Sequence, residues 1–144
     1  MNVRQIISRK PVQSVATISA GATLTDAAGA LAAKKIGALV VSESGLNVEG
    51  IISERDIVRR LAQDGASCVN LRVADAMITK VIACEPQDTV ESVLQRMTEG
   101  RFRHMPVVDN GSLLGVISIG DAVKARMDEI EQENRAMEEM IKGV

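Results

Sequence analysis

Two short runs of the chain place an aspartate three residues after a serine: Ser53-Glu54-Arg55-Asp56 and Ser118-Ile119-Gly120-Asp121. Each follows a glycine and two aliphatic residues, Gly50-Ile51-Ile52 and Gly115-Val116-Ile117. A serine where a strand gives way to a helix sits beside first-turn N–H groups that have no partner inside the helix. Those donors and the helix dipole make a seat for an anion such as phosphate, and the hydroxyl adds one adjustable donor. An ionised carboxylate only accepts, so Asp56 and Asp121, projecting from the same turns, suit the paired hydroxyls of a ribose. The spacing is also close to that of a capping box, so each pair can equally cap its helix with no ligand. Capping alone does not require Gly, two aliphatics, Ser and Asp in one order twice. Gly50 and Gly115 suggest close approach of the backbone to a neighbour or a ligand.

Basic residues are placed unevenly around the two turns. The first contains Arg55; the second has Ile119-Gly120 there and is served instead by Arg101-Phe102-Arg103-His104, just before a central strand. The two clefts are therefore expected to differ, the Ser53/Asp56 site carrying Arg55 and the upstream Thr17, the Ser118/Asp121 site depending on Arg103 and His104. Arginine binds phosphate in a forked geometry that lysine does not match, although the same cluster also reads as a solvated basic loop. His104 is the only histidine and brings a charge that responds to pH near neutrality. Without a second histidine it is a poor candidate for a metal centre or a catalytic triad.

The elements that must position these residues occur twice. Leu24, Ala27, Ala28 and Leu31 match Val90, Val93, Leu94 and Met97 at helical spacing, each set following a threonine. Apolar runs come next, Ile36–Val41 and Met105–Val108, with the length and β-branching of strands. The turns Ser42–Gly45 and Asp109–Ser112 return the chain antiparallel into the two Ser-x-x-Asp motifs. Upstream, Val15–Ser19 and Val81–Cys84 read as one more short strand each. The expectation is an α/β (α+β) fold of two pseudo-symmetric β-α-β-β-α repeats packed sheet to sheet. The first repeat spans 1–71, the second 72–133, and a helical extension 134–144, with the link near Gly65 to Arg72.

Composition narrows the classes of function. One phenylalanine and no tryptophan or tyrosine mean that a planar ligand must be held by aliphatic side chains and backbone, and that the ring-stacking used for single-stranded nucleic acid is missing. A net charge of −2 gives no global pull toward nucleic acid or anionic membrane. No apolar run approaches the roughly 20 residues of a membrane span, and the first residues lack the apolar segment of a secretory signal, so a soluble cytoplasmic protein is expected. Cys68 and Cys84 lack the close pairing of a zinc or redox motif and read as reduced, structural thiols. There is no phosphate loop of the Gly-x-x-x-x-Gly-Lys type, no dinucleotide fingerprint and no nucleophile–base set, so the expectation is a binding module and not an enzyme.

With both motifs, the preceding Ile36–Val41 and Arg103-His104-Met105-Pro106-Val107-Val108, the chain resembles tandem cystathionine-beta-synthase (CBS) domains over nearly its whole length. Ser-Glu-Arg-Asp-Ile-Val and Arg-Phe-Arg-His-Met-Pro-Val are similar to a bacterial stand-alone subgroup. The resemblance implies a paired regulatory module that binds adenosine-containing ligands such as AMP, ADP, ATP, NAD(H) or S-adenosylmethionine, that often dimerises into a disc of four repeats, and whose regulated protein is unknown. It implies ribose held by Asp56 and Asp121 and phosphate faced by Ser53 and Ser118. The adenine edge is then read near Thr17, Ile36, Gly37 and Ala38 in one cleft and near Ala83, Met105 and Pro106 in the other. Ala83 stands where Thr17 does and lacks its hydroxyl, which argues against equal affinity. A structural CBS pair with degenerate sites is the alternative.

The last stretch continues as a helix with Val123, Met127, Ile130, Met137 and Ile141 near a/d spacing and Asn134 on the same stripe. A paired helix and a helix packed on its own domain both fit that pattern, with Val3, Ile6 and Ile7 as a possible surface for it.

Overall fold

The computed structural model describes residues 1–10 and 15–143. In the first half, β1 (Thr17–Ile18) runs parallel to β2 (Ala38–Val41), which pairs antiparallel with β3 (Gly50–Ser53). Between β1 and β2 lies α2 (Leu24–Lys34), and α3 (Glu54–Asp64) follows β3. The second half holds α5 (Val90–Gly100), β4 (His104–Asp109), β5 (Ser112–Ser118) and α6 (Ile119–Ile141), with β4 and β5 antiparallel. Two further short helices, α1 (Val3–Ser8) and α4 (Val73–Ala76), precede the respective repeats.

Thr23 and Thr89 start α2 and α5 by accepting from the N–H groups of Asp26 and Ser92, each at the third helical position. Most of the matched apolar positions then fall inward, although Ala28 is exposed and Leu94 half-buried: Leu24, Ala27 and Leu31 are buried in one helix, Val90, Val93 and Met97 in the other. They pack on Leu39, Val41 and Ile52 in the first half and on Met105, Val107 and Ile117 in the second, forming two separate cores. Full burial of such side chains contributes roughly 1.5–3 kcal/mol each.

The sequence predicts a strand at Val81–Cys84, and the structure has only an isolated parallel bridge there, Cys84 to Val107. In the first half the N–H of Val40 donates to the carbonyl of Ala16 at 3.3 Å and that of Ser42 to Ile18 at 2.9 Å. In the second half the N–H of Val108 donates to Cys84 at 2.9 Å, but the residue that would donate next is Pro106, which has no N–H. The carbonyl of Ala83 accepts from the Arg96 guanidinium at 3.0 Å.

The cores exchange short segments across the junction of the repeats. Val3 and Ile6 of α1 are buried with Val90, Val93 and Ile117, whereas Val73 of α4 is buried with Leu24 and Ile52. The backbone bonds that hold them are reciprocal. Leu24 donates to Leu71 at 2.9 Å and Val90 to Met1 at 3.2 Å; Val73 donates to Ala22 at 2.7 Å and Val3 to Asp88 at 2.9 Å. Gly50 is small because a Cβ there would meet the carbonyl oxygen of Ile78 and the sulfur of Met77, both at 2.9 Å. The close approach suggested by Gly50 is thus to the chain leaving α4, and Gly115 faces Ile7 of α1 at 3.6 Å.

Helix α6 is held to the second core by Ala122 and Ala125, beside Val3 and Ile6. Its a/d stripe is not what packs: Val123, Met127, Ile130, Met137 and Ile141 are 43–82% exposed. Among the described residues no helix is long and apolar enough to cross a membrane.

Candidate functional site

Each Ser-x-x-Asp pair sits where its strand becomes a helix, and each forms a complete capping box. The Ser118 N–H donates to Asp121 Oδ2 at 2.9 Å and the Asp121 N–H donates to Ser118 Oγ at 3.1 Å. In the first half the Ser53 N–H and hydroxyl donate to Asp56 Oδ2 at 2.8 and 3.0 Å, and the Asp56 N–H to Ser53 Oγ at 3.4 Å. The first helical N–H is also used, from Glu54 to the carbonyl of Gly37 at 3.0 Å and from Ile119 to that of Arg103 at 2.8 Å. Of the first-turn donors of α6, this leaves the Gly120 N–H beside the Ser118 hydroxyl, and glycine offers no side chain to cover it. The anion seat is therefore narrower than the sequence suggests.

A cavity of about 900 Å³ opens between the two halves. One wall is Gly115, Val116, Ser118 and Asp121 from β5 and α6; the other is Ala16, Ile36, Gly37 and Ala38 from the first half. A second opening, of about 150 Å³, joins Ser53, Arg55 and Asp56 to Arg101, Arg103 and Ile78. The expected grouping is thus crossed. Ile36, Gly37 and Ala38 line the large cavity with Ser118 and Asp121, while Arg103 lines the smaller opening with Ser53 and Asp56. The cause is the approximate two-fold packing, which sets the chain entering β2 against the N-terminus of α6 and the chain entering β4 against that of α3. Gly37 and His104 line both openings.

Thr17, Ala83, Met105 and Pro106 line neither opening. Met105 is fully buried in the second core, Pro106 is buried beside it, and Thr17 pairs in register with Val40. Sequence reasoning missed Lys10, whose ammonium donates to Asp121 Oδ2 at 2.9 Å and to the carbonyl of Val116 at 2.8 Å. It also missed Arg4, Lys34 and Lys35, which line the large cavity. The adjacent Lys34-Lys35 before Ile36 was the available signal; Lys10 belongs to no motif.

The electrostatics of the large cavity centre on Asp121 and His104. Burial pushes the Asp121 carboxyl up, but the Ser118 N–H and the Lys10 ammonium outweigh it and hold the group below its ordinary value. Burial pushes His104 below its ordinary 6.5, with Glu54 and Asp121 opposing that shift and Lys10 and Arg103 adding to it. Asp56 is only 5% exposed, so its carboxylate is largely spent on Ser53 and on Arg59, 3.7 Å away.

Two stretches, residues 3–63 and 73–128, match the model of the CBS domain. The chain belongs to the CBS-domain family. A CBS-domain-containing protein of Agrobacterium tumefaciens is similar to it in structure, with 43% sequence identity and a TM-score of 0.83 over 88% of this chain and 99% of that one. A mitochondrial CBS domain-containing protein of Arabidopsis thaliana is 35% identical over 125 residues, 84% of this chain; the chain spans 61% of that relative's length. A CBS domain protein of Pyrobaculum aerophilum, solved in complex with AMP, is 25% identical with a TM-score of 0.74, over 84% of this chain and 89% of that one. The CBS pair is thus a regulatory type of module.

Proposed function

We propose that this CBS pair is a regulatory module that binds an adenosine-containing ligand, an adenine nucleotide or NAD(H), and that the cleft between β5–α6 and the chain entering β2 is its principal site. The observation that carries the reading is the cavity of about 900 Å³ with the N-terminus of α6 at one wall and the aliphatic Ile36–Ala38 segment at the other. That volume lies within the roughly 300–1,000 Å³ of small-molecule sites. The wall is predominantly apolar, which suits a purine held without aromatic stacking. Phosphate takes the Gly120 N–H and the Ser118 hydroxyl, and Asp121 accepts from ribose in place of one Lys10 bond. The AMP-bound relative supports this class of ligand. The Ser53/Asp56 opening, at about 150 Å³, is below that range and acts as a minor site or a structural cap.

Its role is binding and signalling to an unidentified regulated protein. Self-association belongs to the same reading: Val58 and Leu61 on α3 and Val123, Met127 and Ile130 on α6 are 43–64% exposed, a surface suited to a second copy. Isothermal titration with AMP, ATP, NADH and S-adenosylmethionine tests the proposal. Binding of one of them, lost in Ser118→Ala, is expected; no binding at millimolar concentration by any of the four rejects it.

A further inference from the structure

The large cavity carries more positive charge than one phosphate needs. Its cationic side chains are Arg4, Lys10, Lys34 and Lys35, and its one carboxylate is Asp121. Lys10 is already paired with Asp121. Among the described residues, no ion pair engages Arg4, Lys34 or Lys35.

The backbone adds an independent observation. Lys35 closes α2 in the left-handed conformation, φ 54° and ψ 46°. Glycine adopts that conformation at least cost and is the usual residue there, since a Cβ crowds the following carbonyl. A lysine at this place accepts strain and sets a cation at the mouth of the cleft. The matching residue at the end of α5 is Arg101, φ 57° and ψ 40°, and it lines the other opening. A charged residue in the strained cap position of both halves, each time at a cleft, is more than capping explains.

We infer that Lys34 and Lys35 form a second anion seat at the mouth of this cleft, so that it prefers adenine nucleotides with two or more phosphates over the monophosphate. The inference rests on the adenine-nucleotide reading above. The first phosphate is held at the N-terminus of α6 by the Gly120 N–H and Ser118; the later phosphates extend toward Lys34 and Lys35. Both lysines are exposed, so their pull is screened and depends on salt.

Calorimetric titration of the whole protein with AMP, ADP and ATP, at low and at physiological salt, tests it. ATP is expected to bind about tenfold more tightly than AMP, with the gap narrowing as salt rises. Lys35→Gly relaxes the cap, so the protein should melt at a higher temperature while the preference for ATP shrinks; Lys34→Gln with Lys35→Gly should erase it. Arg101→Gly, at the other opening, should also melt higher and keep the preference. Equal binding of AMP and ATP by the unaltered protein overturns the inference. So does a Lys35→Gly protein that loses AMP and ATP affinity by the same factor, or a preference that vanishes with Arg101→Gly alone. No binding by any of the three nucleotides instead rejects the adenine reading, and the inference falls with it.

Discussion

Replacing Gly37 by alanine sets a methyl group 2.9 Å from both Cε1 and Nε2 of His104, where ordinary contact begins near 3.4 Å. The ring is not free to leave. His104 is half-buried and opens β4 opposite Ser118, and Glu54 Oε1 lies 3.9 Å from the same new methyl. Overpacking of this kind costs about 1–3 kcal/mol. Gly37 has no positive φ, so alanine fits the backbone and recovers about 0.4–1 kcal/mol by restricting the unfolded chain. The net expectation is a loss of about 0.5–2 kcal/mol in the unaltered background. In a His104→Ala background only the unfolded-chain effect survives, and Gly37→Ala should stabilise by about 0.4–1 kcal/mol. Urea unfolding of the four proteins at pH 7.5, with m-values compared, closes the cycle. A change of sign between backgrounds supports the contact. A cost for Gly37→Ala that is equal in both, within about 0.5 kcal/mol, refutes it. These two residues line both openings, so the same cycle run with nucleotide present reports whether the contact separates them.

The exchanged segments predict that Val3→Ala and Val73→Ala, both at fully buried positions, each cost about 2–3 kcal/mol in urea unfolding; a loss below about 0.5 kcal/mol for Val3→Ala would show that α1 is not part of the second core. His104 is held below its ordinary 6.5 by burial, so as pH falls the unfolded chain takes up that proton first. Its contribution to stability is complete above about pH 6.5 and fades as pH falls through the folded value, whereas Asp121, held below its ordinary value, is lost only at lower pH. Between pH 7.5 and 5.5 the unaltered protein should lose more stability than His104→Gln, and parallel curves would count against burial of a neutral ring. Ser53→Ala and Ser118→Ala should each cost about 1 kcal/mol through the lost cap, with only Ser118→Ala weakening nucleotide binding strongly. Equal loss of binding in both would move the principal site away from the larger cavity.

Much of the architecture is legible in local pattern. The threonine-capped helices, the two hairpins and the Ser-x-x-Asp turns each follow from spacing within about a dozen residues, and all are found. The strand expected at Val81–Cys84 failed for a reason that was also in the sequence: the proline at 106 removes the donor its pairing requires. The exchange of α1 and α4 had a fainter signal. Asn2-Val3 with Gln5 and Arg72-Val73 with Asp75 place a buried valine after a capped residue in both halves, and Gln5 and Asp75 accept from the N–H groups of Asn2 and Arg72 at 2.8 and 2.9 Å. Apolar periodicity does not report segments this short. The composition of each cleft was least legible, because chain order groups Gly37 with Ser53 and His104 with Ser118. The two-fold packing instead sets the entry to each central strand against the helix of the other half.

That crossing and the exchange of segments have one origin. Lys10, which follows α1 of the second core, and Val15, which precedes β1 of the first, both line the larger cavity. Ile78 lines the smaller opening, where the chain leaves α4 in the first core for Cys84 in the second. Each cleft is therefore bounded by residues of both halves. On the proposed reading a ligand in the larger one touches Ile36–Ala38, Ser118, Asp121 and Lys10 together, and its binding energy differs with any change in how the two cores are set against each other. Differential contact of that kind is the physical requirement for a ligand to shift a population of shapes. On the proposed reading the site meets it, because the ligand bridges the two halves and displaces the bond from Lys10 to Asp121 within the second.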